Sequence, residues 1–137
     1  MTSPDQKDLG AGPRAATISN AMVRLLHEYT GRGPTRARTT IGDDLIVCLL
    51  ADTLTKSERK LVAAGEERLV LEERTTFQRL MGEEAIAAVE SLSGRTVTAF
   101  MSNNHIDPDL AVETFVLAPS PGKVPADPEV RGAGWPA

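Results

Sequence analysis

The amino-acid sequence predicts an α+β domain, a two-layer sandwich of a four-stranded antiparallel sheet and helices, in the order helix-strand-strand-helix-helix-strand-strand. Two long segments, residues 17–30 and 66–92, carry apolar side chains at helical spacing, whereas four shorter segments alternate or are apolar throughout, as strands do. Turn-forming residues such as Gly42-Asp43-Asp44 link the first two strands tightly, which favours an antiparallel hairpin. The 137 residues suffice for a single domain of this kind.

The first helix is predicted to begin near Thr17 or Ser19, because either hydroxyl can cap a helix N-terminus. Gly31 is predicted to end it, with Pro34 just beyond. Its apolar residues form one stripe at helical spacing: Ile18, Met22, Leu25 and Tyr29.

Two strands follow this helix. Thr35–Ile41 alternates small or apolar residues with polar ones, which is typical of a half-buried strand whose arginines face solvent. Leu45–Ala51 is apolar throughout, so it is predicted to lie in the middle of the sheet with Cys48 buried. Cys48 is the single cysteine of the chain, which is compatible with a reducing cytoplasm.

The second half repeats this pattern with an enlarged helical part. Thr55-Lys56-Ser57-Glu58 matches a capping box and predicts a short helix that ends or bends near Gly65. A long helix is then predicted to run to about Leu92, before Gly94. Its predicted inner stripe is Val70, Phe77, Met81, Ala85, Ala88 and Leu92.

A second hairpin completes the predicted sheet. Its strands are Arg95–Ser102 and Leu110–Leu117, and its loop is Asn103–Asp109.

The folded domain is therefore predicted to span residues 17–118. Residues 1–16 and the Pro- and Gly-rich residues 119–137, which include Trp135, are predicted to be disordered tails.

The composition argues against several classes of function. With 41% hydrophobic and 25% charged residues, the chain is globular rather than disordered. Aromatic residues make up 4% and the net charge is -4, which disfavours an RNA-binding module with aromatic stacking and a broad basic face. The longest apolar run, Leu45–Ala51, is far shorter than the roughly 20 residues that cross a bilayer. We therefore expect no nucleic acid and no direct membrane insertion.

One basic segment stands out in an acidic chain. Residues 31–42 carry three arginines and no acid, whereas residues 43–94 carry eleven acids and six bases. Glycines let backbone N–H groups converge on an anion, and arginine binds carboxylate or phosphate through two hydrogen bonds. The alternative interpretation is a helix C-cap followed by a solvated strand face, since the Lys-Ser/Thr ending of a P-loop is missing. The candidate anion-binding residues are Gly31, Arg32, Gly33, Arg36 and Arg38.

The predicted loop of the second hairpin holds candidate metal ligands. His105, Asp107 and Asp109 alternate there, and such side chains can bind a divalent metal. However, Asn, Asp and Pro are also the residues that hairpin turns need, and no second cluster supplies the remaining ligands. We therefore predict no metal and no cofactor.

Charged residues also lie on the two helices between the hairpins. Glu58, Arg59 and Arg74 can pair between these helices or across a dimer. The simplest interpretation is a solvated ion pair, which contributes less than about 1 kcal/mol. No G-x-S-x-G nucleophile turn occurs and no catalytic residues are predicted, so we expect a protein that is not an enzyme.

Several short motifs occur in an order that resembles a known family. They are Gly31-Arg32-Gly33-Pro34, Leu45–Leu50, Leu54-Thr55-Lys56-Ser57-Glu58, Arg74, Leu92-Ser93-Gly94 and Thr114-Phe115-Val116-Leu117. From Ile18 to Leu117 the chain resembles the MpsC-like family, named after the third component of a Na⁺-translocating, membrane-potential-generating system. The resemblance supplies no catalytic residues.

The resemblance implies a non-catalytic soluble accessory protein that binds a protein partner, with a membrane transport complex as the expected partner. We expect a cytoplasmic protein held at the inner face of the membrane by that partner. The alternative is a small-anion or nucleotide sensor that uses Arg32, Arg36 and Arg38.

The sheet itself predicts a homodimer. The predicted helices cover one face, yet the central strand is apolar on both: Leu45, Val47 and Leu49 on one side, and Ile46, Cys48 and Leu50 on the other. An uncovered apolar face of this size is unusual for a monomer, and a two-fold axis would bury it. The alternative is that the helices after the second strand cover both faces and the monomer suffices.

Overall fold

A computed structural model describes residues 11–120 and gives the element order that the sequence predicts. Its helices are α1 (Ala11–Thr30), α2 (Lys56–Ala63) and α3 (Glu67–Ser93), and its strands are β1 (Arg36–Ile41), β2 (Leu45–Ala51), β3 (Val97–His105) and β4 (Leu110–Leu117). The strand order is β1-β2-β4-β3, and every neighbouring pair is antiparallel. The predicted α+β class and four-stranded antiparallel sheet are confirmed. Two hairpins thus meet at their second strands, β2 and β4, which form the centre of the sheet.

The start of α1 differs from the prediction. Neither predicted cap residue caps the helix: Thr17 Oγ1 donates to the Pro13 carbonyl oxygen at 2.9 Å, and Ser19 Oγ is 2.7 Å from Thr39 Oγ1 of β1. Pro13 lies in the first turn, where its missing N–H costs no helical hydrogen bond. The helix can therefore begin at Ala11.

Residues 11–16, predicted as part of the disordered N-terminal tail, are consequently helical. The rest of the two predicted tails, residues 1–10 and 121–137 with Trp135, lies outside the described residues.

Other helix signals are confirmed. Glu58 N donates to Thr55 Oγ1 at 3.1 Å, and Thr55 N donates to Glu58 Oε1 at 2.8 Å, which completes the predicted capping box of α2. Gly31 after α1 and Gly94 after α3 have φ values of 81° and 71°, a left-handed conformation that glycine adopts without strain.

In the second hairpin, β4 has the predicted bounds, whereas β3 begins at Val97 instead of Arg95 and ends at His105 instead of Ser102. Asn103, Asn104 and His105, predicted as loop, pair with Val112, Ala111 and Leu110 as the end of β3. The hydrogen bonds of the ladder outweigh the turn preference of asparagine. The loop is thereby shortened to residues 106–109.

The helices cover one face of the sheet. Helix α1 packs on β1 and β2, α3 packs on β3, and these two helices pack against each other. The buried residues of the two central strands on this side are Ile46, Cys48, Leu50, Ala111, Glu113, Phe115 and Leu117. The prediction that β2 lies in the middle of the sheet with Cys48 buried is confirmed. On the other side, Leu45, Leu49 and Met101 are 36%, 37% and 54% exposed.

The inner face of α3 is more polar than predicted. Its buried residues are Val70, Arg74, Gln78, Met81, Gly82, Ala85 and Val89. Phe77, predicted in this stripe, is only partly buried. Steps of four residues from Val70 reach Arg74 and Gln78, so helical geometry places both on the buried face despite their polarity.

Candidate functional site

A buried ion pair joins α3 to the start of α2. The side chains of Arg74 and Glu58 are 1% and 3% exposed. Arg74 Nε donates to Glu58 Oε2 at 2.9 Å, and Nη2 donates to Oε1 at 2.6 Å. Nη2 also donates to the carbonyl oxygen of Thr53. The bidentate contact of Arg74 with Glu58 is the strongest form of an arginine–carboxylate pair. Pairing between the two helices agrees with the sequence analysis, but the prediction that the pair is solvated is wrong.

The same carboxylate serves the capping box and the ion pair. Burial by itself raises the pKa of Glu58, but hydrogen bonds from Arg74 and from the Thr55 backbone outweigh burial and hold this pKa below its usual value. Glu58 is therefore the ionised partner of Arg74. Arg59, the third residue of the predicted ion-pair set, instead donates from Nη1 to the Leu54 carbonyl oxygen at 2.6 Å.

Asp109, a candidate metal ligand, binds the segment between β2 and α2, where Arg74 also binds the carbonyl oxygen of Thr53. Its Oδ1 accepts from the backbone N–H and the hydroxyl of Thr53 at 3.0 and 2.9 Å, and its Oδ2 accepts from Leu54 N at 3.0 Å. The second candidate, His105, has Nδ1 2.9 Å from the Pro108 carbonyl oxygen. Asp107, the third candidate, lies exposed in the loop between them. Within residues 11–120, no three His, Cys, Asp or Glu side chains are placed to hold a metal ion.

Glu113 is a fully buried carboxylate at the centre of the sheet. It is 0% exposed, and neither of its oxygens has a hydrogen-bond partner among the described residues. Burial raises its pKa to about 7, although the nearby Ser102 hydroxyl and the charge of Arg74 each lower it. In this geometry Ser102 Oγ makes no hydrogen bond with Glu113. The protonated and ionised forms of Glu113 are thus close in free energy near neutral pH.

Glu113 belongs to a row of polar side chains, one from each strand, that crosses the whole sheet. Thr39 of β1 pairs with Cys48 of β2, Cys48 pairs with Glu113 of β4, and Glu113 pairs with Ser102 of β3. Burial raises the pKa of the Cys48 thiol to about 11, so this group is neutral at physiological pH. The core beneath the helices therefore contains polar groups along its entire width.

Three further buried polar atoms lack hydrogen-bond partners in the described chain: Arg74 Nη1, Ser102 Oγ and Asn104 Oδ1. We refer to Arg74, Ser102, Asn104 and Glu113 as the polar cluster. An unpaired buried polar group costs about 1–3 kcal/mol. Stability alone does not account for a core with several of them, which makes the cluster the candidate functional site.

The polar cluster borders a groove between α3 and β3. This groove has a volume of about 530 Å³, and its lining includes Gln78, Gly82, Phe100 and Ser102. Ser102 lines the groove and also belongs to the polar cluster, where it pairs with Glu113 across the strands.

Sequence reasoning did not select Glu113 as a site residue. The signal was present, because strand alternation places Glu113 on the same face as Phe115 and Leu117. A carboxylate on a face that is otherwise apolar indicates either an ion pair or a raised pKa.

The predicted anion-binding residues lie in two places. In the turn after α1, Gly31 N donates to the His27 carbonyl oxygen at 2.8 Å, and Arg32 N donates to Thr30 Oγ1 at 3.2 Å. Arg32 Nε donates to the carbonyl oxygen of Asp52 at 3.0 Å. Gly33, partly buried, lies against the His27 side chain. The backbone N–H groups of Gly31 and Arg32 therefore already donate hydrogen bonds within the chain.

Arg36 and Arg38 lie apart from that turn, exposed on β1. They line a hollow of about 550 Å³ together with Leu49 and Leu110. This hollow lies on the side of the sheet that the helices leave uncovered. We call that side the open face, and its residues are Arg36, Arg38, Thr40, Leu45, Val47, Leu49, Ala51, Ala99, Met101, Asn103, His105, Leu110, Val112, Thr114 and Val116.

The fold and these sites define a small two-layer α+β domain with a polar cluster in its core and an open, largely apolar sheet face. None of the helices in residues 11–120 is long and apolar enough to cross a membrane. The chain belongs to the MpsC family, described as "Na+-translocating membrane potential-generating system (MpsC)", whose model matches residues 11–119. The resemblance drawn from the sequence motifs is thereby confirmed. No curated protein and no solved structure matches the chain.

Proposed function

We propose that this protein is a non-catalytic accessory protein that binds a protein partner through the open face of its sheet. The observation that carries the proposal is the apolar centre of this face, where Leu45 and Leu49 are 36% and 37% exposed and Met101 is 54% exposed. Antiparallel sheets with one solvated face normally carry polar residues there. An exposed apolar patch with a polar rim is typical of an interaction surface.

The charges of the open face favour a particular kind of partner. It carries two arginines, Arg36 and Arg38, and no Asp or Glu among its residues. A partner that presents apolar side chains flanked by carboxylates would complement it. Membership of the MpsC family supports a partner in a membrane-potential-generating system. Such a partner would hold the protein at the cytoplasmic surface of the membrane.

Substitution of Leu49 by Asp tests this proposal, because Leu49 lies in the middle of the open face and is already 37% exposed. Affinity purification from solubilised membranes, followed by mass spectrometry, should recover the same membrane protein with the wild type and not with Leu49→Asp. The control is Leu80→Asp, since Leu80 is 56% exposed on α3, away from the sheet. Equal recovery with all three proteins, or with none, contradicts the proposal.

The homodimer predicted from the sequence would bury the same open face and is the competing occupant. A two-fold pairing of two open faces places four arginines and no carboxylate from these faces in one interface, which disfavours it electrostatically. Sedimentation equilibrium at micromolar concentration distinguishes the two. If the wild type has the mass of two chains and Leu49→Asp has the mass of one, the open face is the interface of a homodimer.

Arg36 and Arg38 favour a second candidate function, a small-anion or nucleotide sensor, because both are exposed beside one hollow. Phosphate or a nucleotide bound there at a hundredfold excess over Kd would stabilise the fold by about 2.7 kcal/mol. Thermal unfolding with these ligands should then show a shift that the Arg36→Ala/Arg38→Ala variant loses and an Arg79→Ala control keeps. The absence of a shift with every anion excludes this function.

A further inference from the structure

We propose that Glu113 is a proton-binding site in the core, and that loss of its proton brings its carboxylate onto the unpaired Nη1 of Arg74, so that Arg74 bridges Glu58 and Glu113. The inference goes beyond the proposed partner binding and does not depend on it.

The surroundings of Glu113 favour its neutral form in the geometry described. Its carboxylate is fully buried, and neither oxygen accepts a hydrogen bond from residues 11–120. An ionised carboxylate in such a place is strongly disfavoured, because burial removes its hydration shell and no hydrogen bond from these residues replaces it. A proton makes the group neutral and removes most of this cost. The unpaired oxygens therefore correspond to a protonated acid, with a pKa of about 7 as the balance point.

Arg74 is the counter-charge available to Glu113 when the proton leaves. Around Glu113, β2 contributes the neutral thiol of Cys48 and β3 contributes the hydroxyl of Ser102, whereas α3 contributes Arg74. Arg74 is the positive charge that bears on the pKa of Glu113. Helix α1 contributes the hydroxyl of Ser19, which lies 2.7 Å from Thr39 Oγ1.

The guanidinium can serve both carboxylates at once. Its Nε and Nη2 bind Glu58 and Thr53, whereas Nη1 is buried and unpaired. A guanidinium has five N–H donors in a rigid plane, so engagement of Nη1 does not require release of Glu58. Two other acids interact with Arg74. The pKa of Glu58 is lowered, and the pKa of Glu73 is raised by desolvation and by Glu58. Glu58 is already ionised and Glu73 is exposed, so Glu113 is the buried acid that titrates beside Arg74.

The bridged state would connect α2, α3 and β4 through one side chain. In the protonated state Arg74 holds α3 to α2 and to Thr53 only. Ser102 lines the groove and neighbours Glu113, so the groove between α3 and β3 lies next to the group that moves. The arrangement is a proton-controlled link between the helical layer and the sheet.

Nuclear magnetic resonance on the whole chain tests the link. The side-chain carboxyl carbon of Glu113 should titrate with a midpoint near pH 7, and the Nε and Nη resonances of Arg74 should shift with the same midpoint. In Glu113→Gln the Arg74 resonances should stay constant from pH 5.5 to 8.5, whereas the exposed-site control Glu83→Gln should keep the wild-type titration.

A purely structural role for Glu113 would leave Arg74 unaffected by the titration. A Glu113 midpoint near its ordinary value of 4.5 overturns the proton site. Arg74 resonances that do not move while Glu113 titrates overturn the bridge.

Discussion

Replacement of Arg74 by methionine is expected to lower the free energy of unfolding by about 3–5 kcal/mol, because it leaves a buried carboxylate without its counter-charge. Methionine keeps most of the aliphatic volume, so the loss reports on the charge and its hydrogen bonds rather than on a cavity. Glu58, 3% exposed, would keep only the backbone N–H of Thr55 as a donor among its present partners. Urea unfolding monitored by circular dichroism at pH 7 measures the effect.

The deficit of Arg74→Met should depend on pH. The pKa of Glu58 is lowered in the folded protein, so its ion pair contributes stability above the unfolded value of 4.5 and loses it as the pH falls below that value. The difference between wild type and variant should therefore shrink on acidification.

Two further variants serve as controls for Arg74→Met. Arg79→Met, at an exposed site on the same helix, should change stability by no more than about 0.5 kcal/mol. Glu58→Gln/Arg74→Met should be more stable than Arg74→Met alone, because no buried charge remains and glutamine preserves the capping box. A loss of less than 1 kcal/mol for Arg74→Met would show that water reaches the pair.

Replacement of Glu113 by glutamine is expected to stabilise the protein at pH 8 by about 3 kcal/mol. The pKa of Glu113 is about 7 in the folded state against an ordinary value of 4.5, and each pH unit between them is worth about 1.4 kcal/mol. Glutamine has nearly the same shape as the protonated acid and cannot ionise. The wild type should lose stability when Glu113 ionises at high pH, and the variant should not.

The sign of this effect follows from proton linkage. Because the folded state binds the proton more tightly than the unfolded chain, the contribution of Glu113 is fully present below pH 4.5 and is lost as the pH rises to about 7. Wild type and Glu113→Gln should thus be similar at pH 4.5 and diverge above it.

Chemical unfolding at several pH values gives the comparison, with Glu83→Gln as the exposed control. A stability difference between wild type and Glu113→Gln that does not change from pH 4.5 to 8 would show that Glu113 titrates normally.

Much of the fold could be predicted because its signals are local. Leu45–Ala51 forms a strand with the predicted bounds, since an apolar run between turn residues can be recognised within one segment. The Thr55–Glu58 capping box spans four residues, and its two hydrogen bonds depend on little beyond the local backbone. Gly31 ends its helix for an equally local reason, its left-handed φ of 81°.

The candidate site depended on tertiary structure. Asp109 accepts hydrogen bonds from Thr53 and Leu54, which are far away in sequence, so its role in fixing that turn depends on how the two hairpins meet. The sequence likewise offered Arg74 and Glu58 as a pair, but only the packing of α3 over α2 and the sheet determined that the pair is buried.

Glu113 shows where the two kinds of information separate. Strand alternation by itself determined which face of β4 carries this carboxylate. Only the tertiary structure decided that helices close this face, that no donor within residues 11–120 reaches the oxygens, and that an unpaired nitrogen of Arg74 lies in the same cluster. The physical reason is that periodicity is a property of one segment, whereas desolvation and charge pairing depend on distances between segments that are far apart in the chain.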